Sequence, residues 1–267
     1  MAKKLTVPDI IAMKAQGEKI TMMTAYDYPT GLLVEKAGID TILVGDSLAM
    51  TVLGYESTVP VTVDEMIHHT KAVRRGARNT FIIADMPFGS YNSGITQAVA
   101  NAVRFLKEGG ADAVKLEGGT EVADVVEAVV RAGIPVLGHI GLTPQTVTQL
   151  GGYKVQGRDQ KRARKLIEDA EALSRAGAFA VVLECIPKNL AKEITERITI
   201  PTIGIGAGPF CDGQVLVYND VVGLFEKFIP KFVKRYAELG EMALKGLMQY
   251  KQEVKESIFP DDEHSFD

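Results

Sequence analysis

Apolar runs that stop on an ionisable residue recur along this chain. Thr41-Ile42-Leu43-Val44-Gly45 leads into Asp46-Ser47, and Phe81-Ile82-Ile83-Ala84 into Asp85. Val136-Leu137-Gly138 leads into His139, and Phe179-Ala180-Val181-Val182-Leu183 into Glu184. In Val114-Lys115-Leu116-Glu117-Gly118-Gly119 a cation and a carboxylate stand two residues apart at the end of such a run. Side chains at i and i+2 leave a strand on one face. Lys115 and Glu117 therefore point into one pocket, while Val114 and Leu116 pack on the other side. Continuous apolar runs of this length read as strands covered on both faces, as in a parallel sheet.

Between these runs the period becomes helical. Thr6 is the expected N-cap of a first helix that Gly17 closes, and residues 20–24 form the first strand. A helix over about 28–37 ends at Gly38. Thr62 and Glu65 frame a capping box for a helix reaching about residue 75. Further helices are expected over about 95–108, about 121–132 with Thr120 as N-cap, about 159–175 and about 190–198. Residues 201–208 make a seventh strand with a glycine-rich exit. Val215-Leu216-Val217 makes an eighth, too close behind for more than a truncated helix between them.

Eight strands over about 220 residues are the signature of an α/β fold of the (β/α)8 barrel type. A doubly wound open sheet competes, but acids on strands two, three, four and six converge more readily around a closed ring. An N-terminal helix and a helical pattern over about 230–254 are extra to the barrel. Leu224, Phe225, Phe228 and Phe232 precede the latter and read as core packing, with a barrel cap or a subunit contact as alternatives. Two segments, 47–60 and 151–157, lack clear periodicity. Loops that long inside a compact domain are usually functional, and glycines at both ends give the second the freedom of a lid. Gly204, Gly206 and Gly208 miss the dinucleotide fingerprint by one residue in the third spacing, so a tight turn or a close backbone approach explains them better.

With 267 residues, 46 % of them hydrophobic, the chain suffices for one large domain over 1–267. Residues 255–267 read as a mobile acidic tail. A net charge of −4 argues against a nucleic-acid or anionic-membrane surface. No run reaches the roughly 18 apolar residues of a membrane span, and the N-terminus carries no apolar signal core, so a cytoplasmic location is expected. Cys185 and Cys211 lack metal-ligand spacing and read as reduced thiols. His68 and His69 read as surface residues, since adjacent positions do not share a helix face. Arg158, Lys161, Arg162, Arg164 and Lys165 read as a solvated helix face, or as an attractor for an anionic substrate tail.

Asp46, Asp85 and Glu117 are three hard oxygen ligands without His or Cys alongside, a set that fits Mg²⁺ with water or substrate in the remaining positions. Their alternative is to cap helices or pair with Lys and Arg, although three converging acids repel strongly without compensation. Glu184, behind four apolar residues, is desolvated in the way that suits a general base. No Arg or backbone donor for it is evident along the chain. His139 either orients a substrate oxygen or is satisfied structurally.

Val44-Gly45-Asp46-Ser47, Ala84-Asp85-Met86-Pro87-Phe88, the 114–119 stretch, Gly138-His139-Ile140-Gly141-Leu142 and Leu183-Glu184-Cys185 together resemble the 3-methyl-2-oxobutanoate hydroxymethyltransferase family. The resemblance covers about residues 6–258. It implies a Mg²⁺-dependent barrel that moves a one-carbon unit from 5,10-methylenetetrahydrofolate to a branched 2-oxo acid in pantothenate biosynthesis. It also implies a cytoplasmic homodecamer of two pentameric rings. By position, Asp46, Asp85 and Glu117 are implied as the metal set, Asp46, Ser47, Asp85 and Lys115 as oxo-acid contacts with His139 beside them, and Glu184 as proton acceptor. Two other classes stay open. One is a Mg²⁺-dependent carbon–carbon lyase of the isocitrate lyase and phosphoenolpyruvate mutase type, which shares a Gly-Asp-Ser strand end but needs a lid cysteine that neither 47–60 nor 151–157 supplies. The other is a non-catalytic metabolite-binding barrel, which has no need of a desolvated base.

Overall fold

A computed structural model describes residues 4–225 and 229–267. The chain divides into two compact units, Met1–Val217 and Tyr218–Asp267. In the first, eight parallel strands close into a barrel in sequence order. They are β1 Ile20–Thr24, β2 Thr41–Val44, β3 Phe81–Asp85, β4 Ala113–Glu117, β5 Val136–Gly141, β6 Ala180–Glu184, β7 Thr202–Ile205 and β8 Gly213–Leu216. The helices of this unit are α1 Val7–Gln16, α2 Tyr28–Lys36, α3 Leu48–Thr51, α4 Val63–Gly76, α5 Ile95–Arg104, α6 Ala123–Arg131, α7 Val147–Leu150, α8 Gln160–Arg175 and α9 Lys188–Arg197.

The barrel interior is apolar in its lower layers, with Ile20, Met22, Leu43, Phe81, Ile83 and Leu137 among its members, and Ile10 and Met13 of α1 join the same cluster. The alternate side chains, such as Ile82, Val114 and Leu116, are buried as well. Both strand faces are thus covered, which is why the runs read as continuous rather than alternating. The expected capping box of α4 is present, with Thr62 N–H donating to Glu65 Oε2 at 2.7 Å and Glu65 N–H to Thr62 Oγ1 at 3.2 Å. Helices α2 and α4 cross at glycines: a Cβ on Gly31 would lie 2.8 Å from the Val73 carbonyl oxygen, and one on Gly76 only 2.2 Å from that of Tyr28.

Several expectations need correction. The 47–60 loop begins with the short helix α3, and α5 gives way at Phe105 to a π-helical turn ending at Gly109. Thr120 is no N-cap: it opens a 3-10 turn, and its N–H is satisfied by the Asp169 side chain of α8. Strand β8 begins at Gly213, where a Cβ would meet the Ile20 carbonyl oxygen at 2.4 Å. A glycine pressed against a neighbouring strand has no apolar signature. No helix separates β7 from β8. His69 is half-buried, with Nδ1 2.6 Å from the Tyr26 carbonyl oxygen, whereas His68 is exposed.

The second unit contains α10 Tyr218–Val221 and α11 Leu239–Lys255. The helix expected from about residue 230 begins only at Leu239. Leu224 is exposed and Phe225 and Phe232 are half-buried, so these residues are not simple core packing; Phe228 lies outside the described residues. No residue of α11 is buried, and Met242, Leu244, Leu247 and Met248 all face solvent. In the acidic tail, residues 262–264 form a single turn capped by Asp261. Among the described residues no helix is long and apolar enough to cross a membrane.

Candidate active site

Strand register assembles the site at the carboxyl end of the barrel. Asp85 is the partner of Lys115 across β3 and β4, and Glu117 that of His139 across β4 and β5. Lys115 Nζ consequently lies 3.3 Å from Asp85 Oδ1, 3.7 Å from Glu117 Oε1 and 3.1 Å from His139 Nδ1. His139 Nδ1 is 3.4 Å from Glu117 Oε1, and its Nε2 is 3.1 Å from Glu184 Oε2. The latter is an ionic contact without an aligned hydrogen bond. Glu184 therefore has a partner that the linear sequence concealed.

Asp46 follows β2 directly, and its N–H donates to Asp85 Oδ2 at 2.9 Å. Gly45 leaves space for the Ser47 hydroxyl, from which a Cβ there would lie only 2.9 Å. Ser47 Oγ hydrogen-bonds the buried Tyr26 hydroxyl at 2.8 Å. Asp46, Asp85, Lys115, Glu117 and His139 are all buried. The Glu184 side chain is 14 % exposed against 2 % for those of Asp85 and Glu117, so Glu184 stands nearest the mouth.

The cluster is short of positive charge. Burial opposes the Lys115 ammonium, but Asp85, Glu117 and Asp46 outweigh it and hold its pKa above the usual lysine value. Burial and Lys115 likewise oppose a His139 imidazolium, yet Glu117 and Glu184 lift its pKa to about 9. Burial raises Glu117, but His139, Lys115 and a backbone N–H bring it below the ordinary glutamate range. The deficit falls on the remaining acids. Burial, with Asp85 and Glu117 beside it, pushes Asp46 well above the usual range, and burial raises Asp85 despite Lys115 and the Asp46 N–H. Two like charges about 4 Å apart repel by about 4 kcal/mol at an effective dielectric near 20. Lys115 and His139 cannot neutralise Asp46, Asp85, Glu117 and Glu184 together.

Two residues that no sequence pattern marked complete the site. Gln145, in the loop after β5, is 3 % exposed. Its backbone N–H donates to Glu117 Oε2 at 3.0 Å, and its Nε2 donates to Asp46 Oδ2 at 2.9 Å and to the Met86 carbonyl at 3.0 Å. The buried Tyr91 hydroxyl donates to Gln145 Oε1 at 2.6 Å and accepts from the Glu117 N–H at 3.3 Å. A lone glutamine and tyrosine in loops carry no periodic signal. Elsewhere, burial and then Glu184 push the Cys185 thiol up to about 12, and burial pushes Cys211 up to about 11, so neither is poised as a thiolate. Of the basic cluster, Lys165 pairs with Asp169, while Arg158 and Arg162 line a cavity of about 420 Å³ with Leu150, Tyr153, Lys154 and Gln156. Among the described residues no three Asp, Glu, His or Cys side chains form a ready-made metal cage.

A closed parallel barrel with buried acids, a lysine and a histidine gathered at its carboxyl mouth defines a (β/α)8 enzyme barrel. Solved structures agree on the fold. The chain aligns with phosphonopyruvate hydrolase at a TM-score of 0.62 and 12% identity, covering 100% of this chain and 92% of that one. It aligns with 2,3-dimethylmalate lyase, a PEP mutase/isocitrate lyase superfamily member, at 0.59 and 15%, covering 97% and 91%. The chain belongs to the ketopantoate hydroxymethyltransferase family, whose model matches residues 4–262. It is 61% identical to 3-methyl-2-oxobutanoate hydroxymethyltransferase of Carboxydothermus hydrogenoformans, over 98% of this chain and 95% of the relative. With the enzyme of the same name from Desulfotalea psychrophila it shares 62% identity, over 98% and 94%.

Proposed function

We propose that this protein transfers a hydroxymethyl group from 5,10-methylenetetrahydrofolate to 3-methyl-2-oxobutanoate, giving 2-dehydropantoate for pantothenate biosynthesis. The observation that carries the reading is the buried Asp46, Asp85, Lys115, Glu117 and His139 cluster, with Glu184 at its open edge.

The residues present fit Mg²⁺. Asp85 Oδ1 is buried without an aligned hydrogen bond, its neighbour being the Lys115 ammonium at 3.3 Å, Asp46 uses only Oδ2 for Gln145, and the cluster lacks positive charge. Mg²⁺ is commonly held by one or two carboxylates with substrate and water completing its shell. Asp46 and Asp85 would hold it, with Glu117, engaged with Gln145 and His139, beside them. When bound, the ion supplies Lewis-acid polarisation of the oxo acid and lowers the energy of its enolate.

Glu184 accepts the C3 proton, and His139 at 3.1 Å holds its carboxylate in place. The C3 electron pair forms the carbon–carbon bond to the bridging methylene as one of its two C–N bonds breaks, water forms the carbon–oxygen bond as the other breaks, and the two folate nitrogens take up both electron pairs with the C3 proton and one proton of the water. Lys115 balances negative charge beside Asp85 and Glu117. Ser47, fixed by Tyr26, offers a hydroxyl to the oxo acid. The 151–157 loop, with Gly151, Gly152 and Gly157 all at positive φ, shields the mouth from water.

The same reading extends to a cytoplasmic homodecamer of two pentameric rings. The exposed apolar side chains of α11 support a subunit contact, and light scattering of the purified chain tests it. The catalytic test is proton NMR of 3-methyl-2-oxobutanoate in D₂O. Loss of the C3 signal should depend on Mg²⁺ and on Glu184, and a hydroxymethyl signal should appear when tetrahydrofolate and formaldehyde are added. Absence of C3 exchange in every condition would overturn the reading.

A further inference from the structure

Three strand ends meet at one neutral residue. Gln145 donates three hydrogen bonds into the site, to Asp46 after β2 and the Met86 carbonyl after β3 from its side chain and to Glu117 of β4 from its backbone N–H. Its amide orientation is settled by its neighbours: two acceptors face Nε2, and the Tyr91 hydroxyl faces Oε1. That hydroxyl has one proton. It goes to Gln145 at 2.6 Å, while the Glu117 N–H at 3.3 Å fills its acceptor side. The Tyr91 phenol is held protonated by burial and by Glu117.

Gln145 and the Asp46 backbone each hold one oxygen of a neighbouring acid. Asp46 Oδ2 is taken by Gln145 Nε2, Glu117 Oε2 by Gln145 N–H, and Asp85 Oδ2 by Asp46 N–H. The other Asp85 oxygen, Oδ1, has no aligned hydrogen bond and faces the Lys115 ammonium at 3.3 Å. A neutral donor suits this task better than a cation. Lys or Arg at this position would neutralise the charge deficit that attracts the ion, whereas an amide orients a carboxylate and leaves its charge available.

We propose that Gln145, locked by Tyr91, is a positioning residue whose side-chain amide sets which carboxylate oxygen of Asp46 faces the metal-binding space. The role rests on the Mg²⁺ reading of Asp46 and Asp85 given above. Gln145→Met keeps the length of the side chain and removes both its donor and its acceptor. With Mn²⁺ as the probe, free ion counted by electron paramagnetic resonance, the full-length variant should show a Kd raised about 10–100-fold, as for lost partners of metal ligands elsewhere. Its activity should return at saturating metal, which a general loss of structure would not allow. Tyr91→Phe removes only the hydroxyl that orients the amide and should raise the Kd by a smaller factor. It stands in if Gln145→Met does not fold by circular dichroism.

A Kd within about twofold of wild type in a folded Gln145→Met protein, against the rise expected on losing such a partner, would overturn the role. So would activity that stays low at every metal concentration. Wild-type protein that takes up no Mn²⁺ would instead remove the metal reading itself, and the wild-type titration separates the two failures.

Discussion

Replacing Lys115 by Met tests the electrostatics of the cluster, because methionine keeps most of the stem and removes the charge. The ammonium lies 3.3 Å from Asp85 Oδ1 and 3.7 Å from Glu117 Oε1. At an effective dielectric near 20 these are gross attractions of about 5 and about 4.5 kcal/mol. The desolvation of a buried ammonium offsets much of that sum, but the acids left behind stay buried. Removing one partner of a buried pair costs about 3–5 kcal/mol. In a barrel of this size each kcal/mol moves Tm by about 2–4 °C, so scanning calorimetry in EDTA should show Lys115→Met melting about 10 °C below wild type. Added Mg²⁺ should raise the variant's Tm more than that of wild type, since the ion replaces the missing positive charge. A loss below about 2 °C in EDTA, less than one kcal/mol on that scale, would refute the charge bookkeeping.

Glu184→Gln should lower both C3–H exchange and turnover by about 10²–10⁴, the usual worth of a general base, with Mn²⁺ affinity and circular dichroism unchanged; full turnover in the variant would sink the base role. Gly76→Ala should destabilise by about 1–3 kcal/mol or more, because its Cβ would sit 2.2 Å from the Tyr28 carbonyl oxygen and 2.9 Å from the Leu32 nitrogen. An unchanged Tm would contradict the close crossing of α2 and α4. In the second unit, burial lifts Asp220 from 3.8 to about 6, with Arg235 opposing. The folded state therefore keeps a proton that the unfolded chain releases near pH 4, and this contribution is present below about pH 4 and lost as pH rises through about 6. The shift corresponds to about 3 kcal/mol, reduced to about 1–2 kcal/mol for a half-buried group screened by solvent. Asp220→Asn should thus be the more stable protein by that amount at pH 7.5 and equal to wild type at pH 4, measured by urea denaturation.

Much of this protein is local in origin and so legible along the chain. Runs such as Phe81-Ile82-Ile83-Ala84 announce buried strands because both faces are covered, and Asp85, Glu117, His139 and Glu184 announce the reactive end because a charge closes each run. The two-residue period alone places Lys115 and Glu117 on one side, and their 3.7 Å separation agrees. Errors arose where the signal was not local. Gly213 opens β8 without an apolar cue, and α11 begins nine residues after Pro230 because residues 230–238 turn instead of winding into helix.

What tertiary structure alone decided is partnership. Whether Lys115 meets Asp85, and His139 meets both Glu117 and Glu184, depends on the register of β3 against β4, β4 against β5 and β5 against β6. Those are contacts between residues far apart in the chain. Gln145 is the extreme case: a single polar residue in a loop, 99 positions from Asp46. Its importance comes wholly from being buried where three strand ends converge. Periodicity reports which face a side chain leaves by, since that follows from backbone geometry at neighbouring residues. It carries no information on what stands opposite, which is fixed only when the barrel shuts.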